Sequence, residues 1–322
     1  MIIISGPVLL FFYARQVEPN LLMVHQQKVV IKNLPKELAG LRIVQISDLH
    51  GKEFTGDKLV EKVNRLRPDI LVITGDVLDG LHPQYEYIER VLGPMQARLG
   101  KFYVSGNNEY SANLSWGEME KAYQQAKVTV LHNQSCRINF KGKYLWLVGI
   151  DDPSTGHDRL DLALQGTGQA TKILLAHSPE IINQAEAKKI ELVLVGHTHG
   201  GQIRIPGLAR RPELKYKVER IFEKANHVVN RILNYIRAHT DELNQINITN
   251  TRLPEIRQSE IRLPKADLMF TLNMKPGFEK YVAGFYQVGD TRMYVNRGLG
   301  ETWIPFRLFS PPEITEFQLV RE

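Results

Sequence analysis

The chain has little of several features that define common classes of protein. It holds one cysteine, Cys136, among 322 residues, which excludes an internal disulfide framework and any cysteine-rich zinc module. Glycine (24) and proline (16) are too few, and hydrophobic residues at 43% too many, for a collagen-like or disordered chain. It has no internal repeat and no low-complexity tract. The composition is that of an ordinary globular protein, long enough for one large domain or two.

An excess of one charge sign is confined to a single segment. The chain carries a net charge of +6, and the segment from Arg204 to Lys275 contains 14 basic and 8 acidic residues, which leaves 27 of each sign elsewhere. A basic segment within a neutral chain indicates an anionic partner. Nucleic acid is disfavoured, because no nucleic-acid-binding motif is present.

The longest uncharged apolar run is at the N-terminus and is short. Residues 1–14 read MIIISGPVLLFFYA, whereas a spanning helix needs about 20 apolar residues. A basic region and a small-residue cleavage site are both missing, so a secretory signal fits poorly. We expect residues 1–20 to form an apolar membrane anchor or interfacial segment. The remnant of a span that starts upstream and a buried N-terminal strand remain as alternatives.

From Leu41 onward, short apolar runs alternate with amphipathic stretches, which is typical of a layered α/β protein. Helices are predicted over 59–66 and 85–92, and a hairpin-like region runs from Lys280 through 292–296. The predicted strands cover 41–47, 69–74, 101–105, 144–148, 172–176 and 191–195.

One segment departs from this alternation. Between Pro212 and Leu243, apolar residues recur at helical spacing and basic residues occupy the other face. We therefore expect residues 204–275 to be a basic, amphipathic helical insertion, or lid, within a domain that covers 41–322. Its apolar stripe either packs on the body of the protein, or binds acyl chains or a bilayer while its basic face meets lipid headgroups.

Polar residues of one chemical kind follow five of the predicted strands. In open α/β sheets, the carboxyl ends of strands open onto the ligand-binding crevice. Carboxylates, amides and imidazoles without a thiolate form a metal-ligand set, and its size suits two divalent ions that clamp an in-line displacement at phosphorus. Asp76, in the middle of the series, is the natural bridge between the ions. The candidate ligands are Asp48, His50, Asp76, Asn107, His177, His197 and His199.

The order of these motifs resembles the calcineurin-like metallophosphoesterase superfamily. The resemblance rests on Asp48-x-His50, Gly75-Asp76, Gly106-Asn107, His177 and Gly196-His-x-His199. It implies a four-layer fold in which two facing mixed β-sheets are flanked by helices, with the amphipathic segment inserted. It also implies one metal held by Asp48, His50, Asp76 and His199, and a second held by Asp76, Asn107, His177 and His197. Manganese is the usual occupant in bacterial relatives, and iron or zinc are alternatives.

We expect Asp76, Asn107, Asn108 and His197 to be the catalytic residues. Most members of the superfamily have histidine where Asn108 stands, and an amide cannot act as a general acid near neutral pH. A phosphate leaving group departs with little protonation, so Asn108 favours an anhydride substrate. Two alternatives remain: Asn108 only hydrogen-bonds the substrate, or another histidine (His25, His82, His157 or His227) supplies the proton.

These features together predict a two-metal hydrolase at the cytoplasmic face of a bacterial inner membrane. The resemblance extends to enzymes that cleave UDP-2,3-diacylglucosamine to lipid X and UMP in lipid A synthesis, whose substrate combines a diphosphate with acyl chains. The expected partners are therefore a lipid-tailed nucleotide sugar and the membrane surface. A general bacterial metallophosphodiesterase or phosphatase, and a membrane-bound scaffold without catalysis, are the alternatives.

Overall fold

The computed structural model describes most of the chain outside the basic segment. Residues 8–322 are described except 55–56, 81–83, 111–113, 303 and, within 205–279, all but 220–221, 224–225, 227 and 230–231. The chain divides into two compact units: Met1–Ile205 together with Glu279–Glu322, and Pro206–Phe278. The few described positions between 220 and 231 are helical. Most of the helix predicted over 212–243 lies outside the described residues.

The first unit is built on two six-stranded sheets. The first sheet has the order β1-β12-β2-β3-β4-β5 and the second the order β10-β11-β9-β8-β7-β6. Both are mixed, because β12–β2 in the first sheet and β10–β11 and β6–β7 in the second are antiparallel pairs among parallel ones. The strands are β1 (Met23–Ile31), β2 (Arg42–Ile46), β3 (Ile70–Thr74), β4 (Lys101–Val104), β5 (Val128–Val130), β6 (Gln134–Phe140), β7 (Lys143–Gly149), β8 (Lys172–Leu175), β9 (Leu192–Val195), β10 (Gly284–Val288), β11 (Thr291–Val295) and β12 (Glu313–Arg321).

Helices cover the outer face of each sheet, as expected from the sequence. Helices α1 (Lys58–Arg65), α2 (Glu86–Leu92) and α3 (Trp116–Gln125) pack on the first sheet through one apolar cluster. Helices α4 (Leu160–Ala163) and α5 (Ile182–Ala187) pack on the second sheet through another. The predicted four-layer α/β fold is confirmed.

The space between the sheets is filled by a third apolar cluster. Ile43 and Val72 from the first sheet and Ile173 and Leu194 from the second belong to it. Because neighbouring residues of a strand face opposite ways, a strand covered on both sides is apolar throughout. That is why the central strands appear in the sequence as continuous apolar runs.

The N-terminal region excludes one alternative for residues 8–17 and adds a strand to the first sheet. Residues 8–12 are helical and continue into a π-helical turn, Tyr13–Val17, so this part of the segment is not the buried strand considered as an alternative. β1 lies before the predicted domain start at Leu41 and pairs in parallel with β12. No helix among the described residues has the length and apolarity required to cross a bilayer.

Candidate metal centre

The predicted ligands lie at the carboxyl edges of both sheets. Asp48 and His50 follow β2, Asp76 follows β3 and Asn107 follows β4 in the first sheet. His177 follows β8, and His197 and His199 follow β9, in the second. The backbone N–H of His197 donates to the Asp48 carboxylate, with both N···O distances 3.1 Å. This contact joins the two edges into one site.

The backbone is strained at most of these positions. Asp48, His50, Asp76, His197 and His199 have φ values of 51°, 48°, 50°, 72° and 51°, in the left-handed region that costs non-glycine residues free energy. Such strain persists only where the surrounding structure enforces it, and it is concentrated at functional sites. The strand-end loops are therefore held in a shape that serves the side chains.

Glycines allow these loops to approach each other closely. A Cβ on Gly106 would collide with the Asp76 carboxylate, and one on Gly196 with Ser47 and Asp48. A Cβ on Gly75, which has a φ of 87°, would also collide with His177. These three positions therefore need glycine, because the backbone approaches the site residues too closely for a Cβ.

One half of the site contains Asp48, His50 and His199. The Nε2 atoms of the two histidines lie 3.1 Å apart, and His199 Nε2 lies 3.4 Å from Asp48 Oδ1. His199 Nδ1 is 3.0 Å from the Gly300 carbonyl oxygen, so Nδ1 carries the proton and donates it. The lone pair of His199 Nε2 then points at His50 and Asp48.

The other half contains Asp76, Asn107, His177 and His197. His177 Nδ1 lies 2.8 Å from the Thr74 carbonyl oxygen, which fixes the proton on that nitrogen. His177 Nε2 then presents a lone pair to Asp76 Oδ2 at 3.3 Å, Asn107 Oδ1 at 3.2 Å and His197 Nδ1 at 3.1 Å. The nitrogen and oxygen atoms that face one another here are mostly hydrogen-bond acceptors, so there are too few N–H or O–H groups to satisfy them all.

This convergence of lone pairs fits divalent cations. Neutral imidazole nitrogens oriented by carbonyl groups, together with carboxylate and amide oxygens, are how proteins hold such ions. Asp48 is within reach of both halves, since Oδ1 lies 3.9 Å from His177 Nε2. Asp76 Oδ2 is likewise 3.5 Å from His50 Nε2. Both carboxylates thus face both histidine groups, and Asp76 as the bridge stays a prediction.

Burial and mutual charge set the protonation of the site. Burial alone would raise the pKa of Asp76, but His177 and His50 hold that pKa well below its usual range. Burial would lower the pKa of His177, yet Asp76 and Asp48 outweigh it and raise that pKa well above its usual value. Burial and the adjacent His177 lower the pKa of His197 to about 4. These opposed shifts show that Asp76 draws positive charge to His177 Nε2, a place that a proton takes in the metal-free site and that a metal ion would take when bound.

Glu109 is a supporting residue that the sequence analysis did not assign. Its side chain is 1% exposed and accepts backbone N–H groups of Asp76 at 3.1 Å, Val77 at 3.0 Å and Gly106 at 2.7 Å. Burial and the nearby Asp76 raise its pKa to about 7. Glu109 ties the loop after β3 to the loop after β4. The sequence feature that could have marked Glu109 as part of the site is its position directly after Asn107 and Asn108.

Arg307 supports the opposite side of the site. It is fully buried, and its guanidinium donates to the carbonyls of Gly300, Arg297 and Ser310. The Gly300 carbonyl also accepts the His199 Nδ1 proton. Burial, His50 and Arg307 lower the pKa of His199 well below its usual value. No local sequence signal marks Arg307, because it is 108 positions from His199.

Asn108 lies in the site, where it contacts two candidate metal ligands. Its side-chain Nδ2 is 2.9 Å from His50 Nδ1, and its backbone N–H donates to Asp76 Oδ1 at 2.9 Å. The amide therefore orients the His50 ring. Of the alternative proton donors, His25 lies on β1 at the far edge of the first sheet and His157 is exposed. His82 lies outside the described residues.

The fold and this arrangement of donors are those of a metal-dependent phosphoester hydrolase. Residues 41–201 match the family described as calcineurin-like phosphoesterase. This match covers half of the chain, and the chain belongs to that family.

Three curated relatives show how far the similarity extends. A zebrafish (Danio rerio) transmembrane protein with a metallophosphoesterase domain is 34% identical over 55% of this chain, which spans 44% of that relative's length. The uncharacterized metallophosphoesterase YkuE of Bacillus subtilis is 25% identical over 95% of this chain and 88% of its own. The UDP-2,3-diacylglucosamine pyrophosphatase LpxG of Chlamydia trachomatis is 26% identical over 97% of this chain and 93% of its own.

Proposed function

We propose that the chain hydrolyses the pyrophosphate of a lipid-tailed nucleotide sugar, with UDP-2,3-diacylglucosamine as the best candidate and lipid X and UMP as the products. The observation that carries the hydrolase part is the set of facing lone pairs around His177 Nε2 and His199 Nε2. The relative LpxG, similar over 97% of this chain, supports the substrate.

The proposed cofactors are two divalent ions, most suitably manganese, with iron or zinc as alternatives. Bound ions of this kind supply an activated water as nucleophile and neutralise charge at phosphorus. The side chains present suit them, since the carboxylates and Asn107 offer oxygens, and His177 and His199, each bonded to a carbonyl through Nδ1, offer Nε2. Asp48, His50, Asp76 and His199 would hold one ion, and Asp76, Asn107, His177 and His197 the other.

The amide side chains at positions 107 and 108 favour an anhydride as the substrate. Asn107 and Asn108 present amide groups, which hydrogen-bond to phosphoryl oxygens but do not transfer a proton near neutral pH. A phosphate leaving group needs no such proton. The amide at 108 therefore supports a pyrophosphate over a simple alkyl ester.

Association with a membrane surface is the second part of the proposal. Val8, Leu9 and Phe12 of the N-terminal helical segment are 61%, 65% and 58% exposed. Large exposed apolar side chains grouped on one segment are a feature of lipid- or partner-binding surfaces. With the basic insertion at 204–275, they suit a substrate that carries acyl chains, at the cytoplasmic face of a bacterial inner membrane.

A phosphorus-NMR assay tests the substrate. Purified, manganese-loaded protein is supplied in parallel with UDP-2,3-diacylglucosamine and with a simple phosphodiester. We expect UMP and lipid X to form at least ten times faster than the diester is cleaved. Faster cleavage of the diester would favour the general phosphodiesterase, and cleavage of neither, with no metal bound, would favour the scaffold.

A further inference from the structure

The candidate metal centre lies at the carboxyl ends of strands in both sheets. Each sheet has a further strand next to those that carry the predicted ligands. In the first sheet the order β2-β3-β4 continues to β5, and in the second the order β9-β8 continues to β7. The register pairs Tyr103 with Val130, which puts His132 level with Ser105, two residues before Asn107. It also pairs Gly149 with Leu175, which puts Asp151 level with His177.

His132 and Asp151 meet across the gap between the sheets. His132 Nδ1 lies 2.9 Å from Asp151 Oδ2, and the two side chains are 55% and 2% exposed. Neighbouring strands are about 4.8 Å apart. The pair therefore lies about one strand spacing to the side of Ser105 and His177.

Asp151 is held in place independently of His132. Its Oδ1 accepts the Ser105 hydroxyl at 2.8 Å, and its Oδ2 accepts the Asn133 amide at 2.7 Å. A fixed, buried carboxylate that accepts from Nδ1 orients an imidazole and leaves Nε2 as the nitrogen available to another molecule. An ordinary surface ion pair lacks this buried and fully bonded carboxylate.

The environment of His132 suits an organic leaving group. The Trp116 ring lies 5.6 Å from the His132 ring in an edge-on arrangement, and Tyr110 lies 5.5 Å from Trp116. Tyr110 closes the short turn Asn108–Tyr110 that begins beside Asn107. Trp116 and Tyr110 are both half-buried.

We propose that His132, oriented by Asp151, is the general acid for ester leaving groups at this centre, and that the chain therefore cleaves phosphodiesters as well as anhydrides. The attacking oxygen forms a bond to phosphorus as the bond from phosphorus to the ester oxygen breaks. His132 Nε2 gives its proton to that departing oxygen and is reprotonated by water. The inference rests on the proposed hydrolase activity, but not on the lipid substrate.

A series of leaving groups tests this role. The substrates are the 4-nitrophenyl and phenyl esters of thymidine 5′-monophosphate, because phenolate is the more basic leaving group and depends more on a proton. We expect His132→Gln to lower kcat/KM about 100-fold for the phenyl ester and less than about 3-fold for the 4-nitrophenyl ester. Asp151→Asn is expected to lose activity with the same dependence on the leaving group.

The matched control is His25→Gln, the same substitution on β1 at the opposite edge of the sheet that ends in β5. It is expected to change neither rate. Equal losses for both esters in His132→Gln, or no loss, would overturn the role of His132. Failure of the native, manganese-loaded protein to cleave either ester would overturn the diesterase activity itself, while turnover of UDP-2,3-diacylglucosamine in the same preparation would leave the proposed function standing.

Discussion

The candidate metal centre buries polar side chains, whereas the N-terminal segment exposes apolar ones. Asp48 and His177 are fully buried although they are polar, whereas Leu9 and Phe12 are 65% and 58% exposed although they are apolar. Buried polar groups without enough hydrogen-bond donors, and clustered exposed apolar groups, each cost free energy. The buried polar groups of the centre fit the divalent cations of this family, and the exposed apolar side chains are the basis of the proposed membrane association.

The two regions also differ in how they are attached to the rest of the chain. The metal centre is fixed by backbone contacts such as Gly196 N to His177 O at 2.9 Å and Asp48 N to Gly75 O at 3.1 Å. The N-terminal segment is attached by its inner side, where Phe11 packs against Phe306 and Arg307 N donates to Ala14 O at 2.9 Å. The centre is organised before its ligand arrives, while the segment presents one face outward.

Removing the central carboxylate should have the largest effect. Asp76→Ala deletes the only side chain expected to contact both ions, so we expect loss of bound metal and at least a 10³-fold loss of hydrolysis. Atomic absorption and kcat measure the two. Asp161→Ala, which removes a carboxylate that is 83% exposed, is the control. Retained turnover in Asp76→Ala would contradict the proposed site.

Deleting residues 212–243 should separate lipid-tailed from small substrates. We expect the deletion to lower activity on UDP-2,3-diacylglucosamine at least 10-fold while a small chromogenic phosphodiester is cleaved within about 2-fold of the native rate. The reason is that only the acyl chains would contact the predicted lid. Equal losses on both substrates would give the segment a purely structural role.

Glu109 provides a test through pH. Because its pKa is raised to about 7 in the folded protein, its contribution to stability is fully present below its ordinary pKa and is lost as pH rises through about 7. Metal-free Glu109→Gln cannot ionise, so its free energy of unfolding should fall less between about pH 5 and pH 8 than that of the native chain. Urea denaturation measures this, and parallel pH curves would contradict the assignment.

Charging the exposed apolar face should have the smallest effect on the folded protein. Leu9→Glu and Phe12→Glu are expected to change the free energy of unfolding by less than about 0.5 kcal/mol, since both side chains already meet solvent. Binding to anionic phospholipid vesicles, followed by co-sedimentation, should decrease several-fold. Leu162→Glu, at a leucine that is 53% exposed in α4, is the control. Unchanged vesicle binding would remove the membrane role of this face.

Much of the fold and site could be predicted because the relevant signals are local. The central strands are apolar on both faces, and each ligand directly follows one of them, so Asp48, Asp76 and His177 could be recognised from their neighbours in sequence. β5 has three residues with only the first of them buried, so neither the strand nor His132 at its end gave a signal. Arg307 and Asp151 act through contacts that only the folded chain creates.

The central claim is that the seven side chains at the strand ends hold two divalent ions, and metal analysis by mass spectrometry tests it most directly. The native protein, purified in manganese-containing buffer and then desalted, should retain about two equivalents of divalent metal per chain, and Asp76→Ala should retain fewer than about half an equivalent. Native protein that carries no stoichiometric metal, or a variant that retains both ions, would contradict the account.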